Sequence, residues 1–247
     1  MFNFFVNEEN RIGNNFLING NDYNHIKNVL RMKIGDEILV SQNSASSLCK
    51  IVSFENESVI TEIIEENFQD TNLPINIYLF QGLPKSDKME LIIQKSVELG
   101  VKEIIPVEMS RSVSKLDGKK KQSKKERWQA IAESAAKQSK RTIIPVVSEA
   151  LSYNDAIKKA AELDILLVPY ENERGMIATK EALLSIKQGM SIGILIGPEG
   201  GFEQKEIDKA KEINGKIISL GKRILRTETA AITAVSMCML YAETELE

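Results

Sequence analysis

The sequence predicts an α/β protein with two domains, a small strand-rich domain over residues 1–72 and a larger domain of alternating strands and helices over residues 73–247. Three observations support this prediction. A chain of 247 residues is long for one hydrophobic core and sufficient for two. After residue 73 the short strand-like segments give way to a regular alternation of strands and helices. The polar stretch 67–72 shows neither pattern and is the predicted linker.

The first domain is predicted to be a small β-barrel with one helix. Residues 48–54 alternate loosely between apolar and polar side chains, as a half-buried strand does. The helix begins near Asn21 or Asp22 and runs through Leu30. Many short strands around a single helix favour a barrel. The predicted strands are 2–6, 16–18, 37–40, 48–54 and 58–65.

The second domain is predicted to contain a mainly parallel sheet covered by helices on both faces, because strands and helices alternate throughout it. Such sheets bind ligands beyond the carboxyl ends of their strands. The predicted strands are 75–80, 103–107, 142–147, 165–168, 191–196 and 216–220. The first predicted helix starts at Ser86 or Asp87 and stops at Gly100, and the others are 124–139, 153–162, 176–186, 203–212 and 229–242.

Composition argues against several classes of protein. The 43% hydrophobic and 27% charged residues are typical of globular domains. No apolar run approaches the ~20 residues of a membrane span, and the first residues lack the basic segment and cleavage site of a secretion signal. Cys49 and Cys238 fall in different predicted domains and form no CxxC motif, which argues against a disulfide framework or a zinc site. The sequence therefore predicts a cytoplasmic protein without a metal site.

Charge is distributed unevenly along the chain. Residues 1–73 carry 5 Lys and Arg against 11 Asp and Glu, whereas residues 74–247 carry 27 against 24. A dense basic stretch between residues 111 and 127 is typical of a surface that contacts a nucleic-acid backbone, although on charge alone a solvated loop is the simpler interpretation. Its cations are Arg111, Lys115, Lys119, Lys120, Lys121, Lys124, Lys125 and Arg127.

Two strand ends near the C-terminus carry the residues most suited to ligand binding. The strand 192–196 runs into Gly197-Pro198-Glu199-Gly200-Gly201-Phe202, where three glycines permit unusual backbone angles and close approach of a ligand. The strand ending at Leu220 is followed by residues 221–229, which include one glycine, two arginines and Thr-Glu-Thr. Each motif also fits an ordinary turn, with Thr227 or Thr229 as a helix N-cap.

Several familiar reaction classes find no support in the sequence. The fingerprints GxGxxG and GxxxxGK[ST] are both absent, which argues against dinucleotide and P-loop nucleotide binding. The single histidine, His25, lies in the small domain, so the large domain cannot contain a Ser-His-Asp, Cys-His or HExxH site. His25 is interpreted as a structural residue or a surface contact.

The two strand-end motifs, 197–202 and 220–229, resemble the cofactor motifs of the SPOUT class of RNA methyltransferases. The closer similarity is to the RsmE family, which methylates N3 of a uridine in small-subunit ribosomal RNA. The similarity covers nearly the whole chain. Its further blocks are 25–32, Gly35-Asp36, 83–90, Arg111-Ser112 and 132–141, in one order. Ser86 and Lys140 stand where glycine is frequent in that family.

The resemblance implies a PUA-like β-barrel followed by a SPOUT α/β domain whose C-terminal segment forms a trefoil knot. It also implies a homodimer and S-adenosyl-L-methionine as the cofactor. The apolar character of 229–242 on nearly all sides fits a helix deep in one core or a helix shared between two subunits, and the resemblance favours the second. The implied cofactor-binding residues are Val168, Pro169, Tyr170, Ile196, Gly197, Pro198, Gly200, Gly201, Leu220, Gly221, Ile224, Leu225, Thr227 and Thr229.

The implied chemistry needs a residue that receives the uridine N3 proton and a cation beside the uracil oxygens. Glu199 is the candidate base, and Arg226 or Arg223 the candidate cation. Alternatively, Glu199 caps its loop and Arg226 contacts a phosphate. The candidate contacts to ribosomal RNA in the small ribosomal subunit are His25, Lys27, Arg31, Lys85, Lys88, Arg111, Lys119, Lys120, Lys121, Lys124, Lys125 and Arg141.

Three other functions remain open from the sequence. The chain could methylate the ribose 2′-hydroxyl instead of a base, or it could be a non-catalytic RNA-binding protein of ribosome assembly. The glycine-rich stretch 197–201 is intact, which argues against lost catalysis. An unrelated nucleotide-dependent α/β enzyme has little support, because both phosphate-binding fingerprints are absent.

Overall fold

The computed structural model describes residues 1–85, 87–113 and 118–246. It divides into two compact units by its internal contacts. The first unit comprises Met1–Asn72 and Ala136–Ile144, and the second comprises Leu73–Ala135 and Pro145–Glu247. The segment Ala136–Ile144 therefore groups with the N-terminal part of the chain, although the surrounding sequence belongs to the second unit.

The first unit is a six-stranded sheet in the order β1-β4-β5-β6-β3-β2. Its pairings are antiparallel except for the parallel pair of β1 and β4. A short helix, α1 (Gly20–Asn24), continues into a π-helical turn over His25–Val29 that buries Ile26 in the core of the sheet. The strands are β1 (Asn3–Phe5), β2 (Arg11–Ile12), β3 (Asn15–Ile18), β4 (Glu37–Gln42), β5 (Ala45–Glu55) and β6 (Ser58–Glu65).

The second unit confirms the predicted parallel sheet. Its seven strands run in the order β10-β8-β7-β12-β11-β13, with β9 beside β8, and every recorded pairing is parallel. The elements are β7 (Asn76–Gly82), α2 (Lys88–Glu98), β8 (Glu103–Glu108), α3 (Gly118–Gln138), β9 (Val146–Val147), β10 (Leu151–Ser152), α4 (Tyr153–Ala160), β11 (Ile165–Pro169), α5 (Ile177–Leu184), β12 (Ser191–Ile196), α6 (Gln204–Glu212), β13 (Lys216–Ile218) and α7 (Thr227–Glu245).

The clearest differences from the sequence prediction concern β9, α3 and α7, and the two-residue strands β2 and β10 were not predicted. The predicted strand 142–147 is reduced to the two residues of β9, because Pro145 has no backbone N–H to pair. The basic stretch is helical from Gly118, where a loop was expected, since lysine is a good helix former and Trp128, Ala132 and Ala136 bury one side of the helix. Helix α7 begins two residues earlier than predicted, with Arg226 at the N-cap position.

The central strands bring the ligand-binding motifs to one edge of the sheet. Strands β7 and β12 pair in register from Asn76↔Ser191 to Gln81↔Ile196, so they end at the same level. Their side chains are mostly apolar and buried, as expected in a parallel sheet covered on both faces. The loops that follow β11, β12 and β13 therefore all leave the sheet at its carboxyl edge.

Helix α3 ends in a left-handed C-terminal turn that places a lysine where glycine is preferred. Lys140 has φ +58°. Its N–H bonds to the carbonyl of Lys137, and the N–H of Arg141 bonds to the carbonyl of Ala136, the hydrogen-bond pattern of a Schellman turn. A side chain in this conformation is strained because Cβ approaches the following carbonyl. The departure from the family's frequent glycine thus leaves the turn intact and strains its backbone.

Replacing Lys140 with Gly should raise the free energy of unfolding by about 0.5–1 kcal/mol, the relief of left-handed strain less the added flexibility of the unfolded chain. Urea unfolding of the variant and the wild-type protein measures this. The carbonyl of Lys140, which accepts bonds from Gln69 and Thr71, is retained in the variant. Lys140→Ala keeps Cβ and should show no gain. A Gly variant no more stable than the Ala variant would contradict the strain argument.

Candidate functional site

A cavity of about 490 Å³ lies at the carboxyl edge of the parallel sheet in the second unit. Its volume falls in the range of sites for small molecules, ~300–1,000 Å³. Three segments line it: the one after β11, the stretch from Ile196 to Phe202 after β12, and the stretch from Ser219 to Thr227 after β13. Lys88 on α2 and Ala230 on α7 complete the lining.

The structure brings most of the predicted cofactor and catalytic residues together in this cavity. Two are elsewhere: Val168 is fully buried in β11, and Thr229 is exposed on α7. Glu173, Ser219 and Ala230 also line the cavity, although no pattern in the sequence pointed to them. The predicted residues in the lining are Pro169, Tyr170, Ile196, Gly197, Pro198, Glu199, Gly200, Gly201, Leu220, Gly221, Arg223, Ile224, Leu225, Arg226 and Thr227.

The glycines after β12 are required by packing within the protein. Gly201 has φ +68°, and an added Cβ would lie 2.7 Å from a carboxylate oxygen of Glu171. An added Cβ at Gly200 would lie 2.9 Å from the Cβ of Arg111. The loop can therefore adopt its shape only if neither position carries a side chain.

A hydrogen-bond network from two other elements holds this loop at its start. The hydroxyl of Thr227, the first residue of α7, donates to the carbonyl of Gly197 at 2.7 Å. The side-chain amide of Gln81, at the end of β7, donates in turn to the Thr227 oxygen at 3.0 Å. The family resemblance implied that Gly197 and Thr227 bind the cofactor, but the Gly197 carbonyl and the Thr227 hydroxyl make hydrogen bonds inside the protein.

The loop after β13 is held in a similar way by a buried threonine of α5. The hydroxyl of Thr179 donates to the carbonyl of Ser219 at 2.8 Å, and the N–H of Ser219 donates back to the Thr179 oxygen at 3.1 Å. The Ser219 hydroxyl also accepts the N–H of Gly221 at 3.2 Å. Nothing lies within 4 Å of a Cβ added at Gly221, whose φ is +108°.

Glu199 is engaged in an ion-pair cluster. Its carboxylate accepts the backbone N–H of Lys85 at 3.0 Å and lies 3.0 Å from the Lys88 ammonium, which also lies 3.3 Å from Glu228. Burial opposes ionisation of Glu199, but the hydrogen bonds from Lys88 and Lys85 outweigh it and lower the pKa of the carboxyl. The bond to Glu199 raises the pKa of Lys88. This geometry favours the interpretation of Glu199 as the residue that fixes its loop.

Arg111 is also attached to the cofactor loop. Its guanidinium donates to the carbonyl of Gly200 at 3.0 Å. The neighbouring N–H of Ser110 donates to Glu206, a buried carboxylate that also accepts the N–H of Glu203. The segment leading to α3 is therefore bonded to the turn itself, at Gly200, and to Glu206 in the first turn of α6.

The cations of α3 differ in their availability. Lys121 pairs with Glu108 at 3.1 Å, Lys125 with Glu149 at 3.8 Å, and Arg127 with Glu90 at 2.8 Å. Lys119 and Lys124 form no ion pair with a described residue, and Lys124 lies 6.0 Å from the centre of the Trp128 ring. Lys120 is exposed, and Lys115 falls outside the described residues.

The first unit exposes three of the predicted RNA contacts within residues 25–31. His25, Lys27 and Arg31 are exposed, and Lys27 donates to the hydroxyl of Tyr23 at 2.6 Å. Arg141 is 5% exposed, and burial lowers the pKa of its guanidinium to about 10. A nearly buried guanidinium has little surface to offer a phosphate, unlike the three exposed side chains.

Two further features concern metals and membranes. Over residues 1–85, 87–113 and 118–246, no three His, Cys, Asp or Glu side chains are placed to hold a metal ion together. Within the same ranges, no helix is both long and apolar enough to cross a membrane. Cys49 and Cys238 are buried free thiols, and burial raises the pKa of each to about 12.

Comparisons with known proteins match both units. The family model described as an RNA methyltransferase domain matches residues 71–239, and the one described as an RNA methyltransferase PUA domain matches residues 18–63. The chain is 41% identical to "Ribosomal RNA small subunit methyltransferase E" of Bacillus subtilis over 92% of this chain and 91% of that protein. The protein of the same name from Mesomycoplasma hyopneumoniae is 35% identical, over 97% and 99%.

A solved structure with a ligand is also similar to this chain. It is the ribosomal RNA small subunit methyltransferase E of Neisseria gonorrhoeae bound to S-adenosyl methionine. The two chains are 30% identical, with a TM-score of 0.82, over 97% of each.

Replacing Glu199 with Gln should lower the free energy of unfolding at neutral pH and have little effect in acid. The pKa of Glu199 is lowered in the folded protein. Its stabilising contribution is therefore present above the unfolded-state pKa, ~4.3, and is lost as the pH falls through the folded value. Urea unfolding of both proteins across this range measures the difference. Glu212→Gln removes an exposed carboxylate outside the cavity and serves as control. If the two proteins differ in free energy of unfolding by the same amount at every pH, the ionised carboxylate of Glu199 is not what stabilises the loop.

Proposed function

The chain belongs to the RNA methyltransferase family with a PUA domain, and from this premise we propose that it transfers a methyl group from S-adenosyl-L-methionine to small-subunit (16S) ribosomal RNA. The observation that carries the proposal is the cavity at the carboxyl edge of the sheet, lined by three loops in a chain 30% identical to a relative bound to S-adenosyl methionine. Incubating small ribosomal subunits with the protein and labelled cofactor tests it. Absence of label in the RNA would refute it.

The cavity has the size and chemistry that this cofactor needs. Ile196, Leu220 and Leu225 supply apolar walls, and backbone groups of the glycine-bearing loops supply polar contacts. Glu171 and Glu173 also line the cavity, where their negative charge would favour a cationic ligand. S-adenosyl-L-methionine carries its reactive methyl group on a positively charged sulfur.

We propose N3 of a uridine as the methylated atom, as the family resemblance implies. N3 carries a proton at neutral pH and becomes a good nucleophile only when that proton leaves. Arg223 and Arg226 line the cavity with exposed side chains. Their positive charge beside the uracil oxygens would favour loss of the N3 proton to water and stabilise the anion. Mass spectrometry of the RNA product separates N3-methyluridine from 2′-O-methylation, the competing possibility.

Glu199 then acts as a positioning residue. A carboxylate with a lowered pKa is a weaker proton acceptor, and its oxygens are engaged by Lys88 and the Lys85 N–H. Lys88 likewise serves this cluster within the cavity, which is a different role from the RNA contact expected from the sequence. The pH profile of the methylation rate tests this role. If the wild-type rate falls in acid with the titration of a carboxyl group and the Glu199→Gln rate does not, Glu199 is the base instead.

We propose that RNA binds to the exposed cations of both units. Residues 1–72 form the RNA-docking domain through His25, Lys27 and Arg31, and residues 73–247 form the catalytic domain. In the catalytic domain, Lys119 and Lys124, which form no ion pair with a described residue, position phosphates without reading bases.

We propose that the C-terminal segment forms the trefoil knot that the family resemblance implies. An experimental structure with an unknotted C-terminal trace would contradict the knot.

We propose that the working unit is a homodimer that buries part of α7. One stripe of this helix is buried in its own unit, including Ala231, Ala234 and Cys238. Other apolar residues remain open to a partner: Met237 is half-buried, and Leu240 is 53% exposed. A monomeric mass by light scattering at micromolar concentration would overturn this.

We also propose a cytoplasmic location. The proposed substrate and the two free thiols support it, and cell fractionation checks it.

Replacing Ala230 with Met should abolish or strongly weaken binding of S-adenosyl-L-methionine. Ala230 lines the cavity from α7, so a longer side chain would occupy ligand volume while methionine still suits a helix. Isothermal calorimetry should show a loss of at least about tenfold, the effect of blocking one good contact. Thr229→Met, one residue earlier and exposed outside the cavity, is the matched control. Equal affinity in both variants would place the cofactor elsewhere.

Replacing Lys119 and Lys124 together with Gln should weaken RNA binding and leave cofactor affinity unchanged. Each lost phosphate contact should make the log–log salt dependence shallower by about 0.7–0.9 unit. Filter binding to small subunits over a series of salt concentrations measures this. Lys121→Gln with Lys125→Gln is the matched control, because both lysines are paired with carboxylates and should contribute less. If both double variants bind RNA like the wild-type protein, the lysines of α3 contact only solvent and do not bind RNA.

A further inference from the structure

Gln81 is an exception among the residues of the central strands. It lies at the carboxyl end of β7 and is 0% exposed, where strands of a parallel sheet usually carry aliphatic residues. The preceding residues Leu79 and Phe80 are also fully buried and follow that rule. A buried amide is costly unless it makes hydrogen bonds that the fold needs.

The bonds of Gln81 define the orientation of its amide. Its nitrogen donates to the carbonyl of Gly82 at 2.8 Å and to the hydroxyl oxygen of Thr227 at 3.0 Å. Because a carbonyl can only accept, the nitrogen must face these two groups. The amide oxygen has no hydrogen-bond partner in the part of the chain that the structure describes. Among the described residues, the Gln81 amide nitrogen therefore makes two hydrogen bonds, one of them to Thr227, while the amide oxygen makes none.

This orientation determines what Thr227 can do. A hydroxyl has a single proton to donate. Since the Gln81 amide donates to the Thr227 oxygen, the Thr227 proton is directed at the carbonyl of Gly197, 2.7 Å away. Hydrogen bonds arranged in such a chain strengthen one another. The carbonyl fixes the peptide plane between Gly197 and Pro198, and the carbonyl of Pro198 accepts the N–H of Gly201 to close the turn.

We propose that Gln81 is a positioning residue for the cofactor, holding the loop Gly197–Gly201 in its binding geometry through Thr227. Gln81 itself does not line the cavity, whereas Thr227 and the loop do. The bond between Gln81 and Thr227 joins residues 146 positions apart in sequence, so it couples the start of α7 to the end of β7. This inference rests on the proposed S-adenosyl-L-methionine site and assigns a residue that supports it.

The test uses near-isosteric substitutions in the full-length protein. Gln81→Met and Thr227→Val each remove one member of the relay, and the double variant removes both. Calorimetry with S-adenosyl-L-methionine should show a loss of about tenfold in each single variant, the size of one buried hydrogen bond. The double variant should lose little more, because the two residues act through one chain. Thr227→Ser, which keeps the hydroxyl, should recover most of the affinity that Thr227→Val loses.

Hydrogen exchange provides a measurement that does not need the cofactor. Amides of the turn, above all that of Gly201, should exchange faster in Gln81→Met and in Thr227→Val than in wild type. Ser96→Ala is the matched control, since Ser96 is buried on α2 and its hydroxyl has no partner among the described residues. It should alter neither the exchange of the turn nor cofactor affinity, and RNA affinity should be unchanged in all variants.

The outcomes separate this inference from the proposed function. Additive losses in the double variant, or wild-type affinity and exchange in Gln81→Met, would overturn the relay. A wild-type protein that does not bind S-adenosyl-L-methionine would refute the proposed function, and faster exchange of the turn in both variants would still support the relay. If Gln81→Met does not fold, exchange and affinity in Thr227→Val against Thr227→Ser decide the question.

Discussion

The candidate site depends on one constraint: the polar backbone of the loops at the carboxyl edge of the sheet must be hydrogen-bonded by side chains from elsewhere. A glycine-rich loop has few side chains of its own to do this. Thr227 holds the first loop at the carbonyl of Gly197, and Thr179 holds the second at Ser219. These bonds come from α7 and α5, so the site exists only when both helices are packed against the sheet. A loop held in this way is preorganised, which reduces the entropy lost when a ligand binds.

The same constraint explains why charged residues near the cavity are paired within the protein. Glu199 holds the first loop against Lys85 and Lys88, and Arg111 bonds to the carbonyl of Gly200. Both had been interpreted from the sequence as groups that act on substrate. Charges that fix a loop cannot also move freely to a substrate. Arg223 and Arg226 remain exposed at the cavity, and they are therefore better placed to stabilise negative charge on a bound base.

Helix α3 shows what local composition predicts and what depends on tertiary packing. Composition located the cations between residues 111 and 127 but could not separate those that are available from those that are paired. Lys121 meets Glu108 and Lys125 meets Glu149, partners that lie on β8 and after β9. Such pairs depend on how helix and sheet pack, which the local sequence does not encode. A helix over 124–139 was predicted, but its start at Gly118 was not, although the lysines and glutamine of that first turn are good helix formers.

The sequence by itself determined the two-part α/β architecture, the parallel sheet and the position of the ligand motifs at its carboxyl edge. These follow from local periods of apolar residues and from glycines at strand ends, which are properties of short segments. The tertiary structure alone decided that Gln81 supports Thr227, that Ala230 lines the cavity, and that Val168 and Thr229 do not. A hydrogen bond between residues 146 positions apart leaves no periodic trace in a single sequence. It becomes visible only when the folded sheet brings the end of β7 beside the first turn of α7.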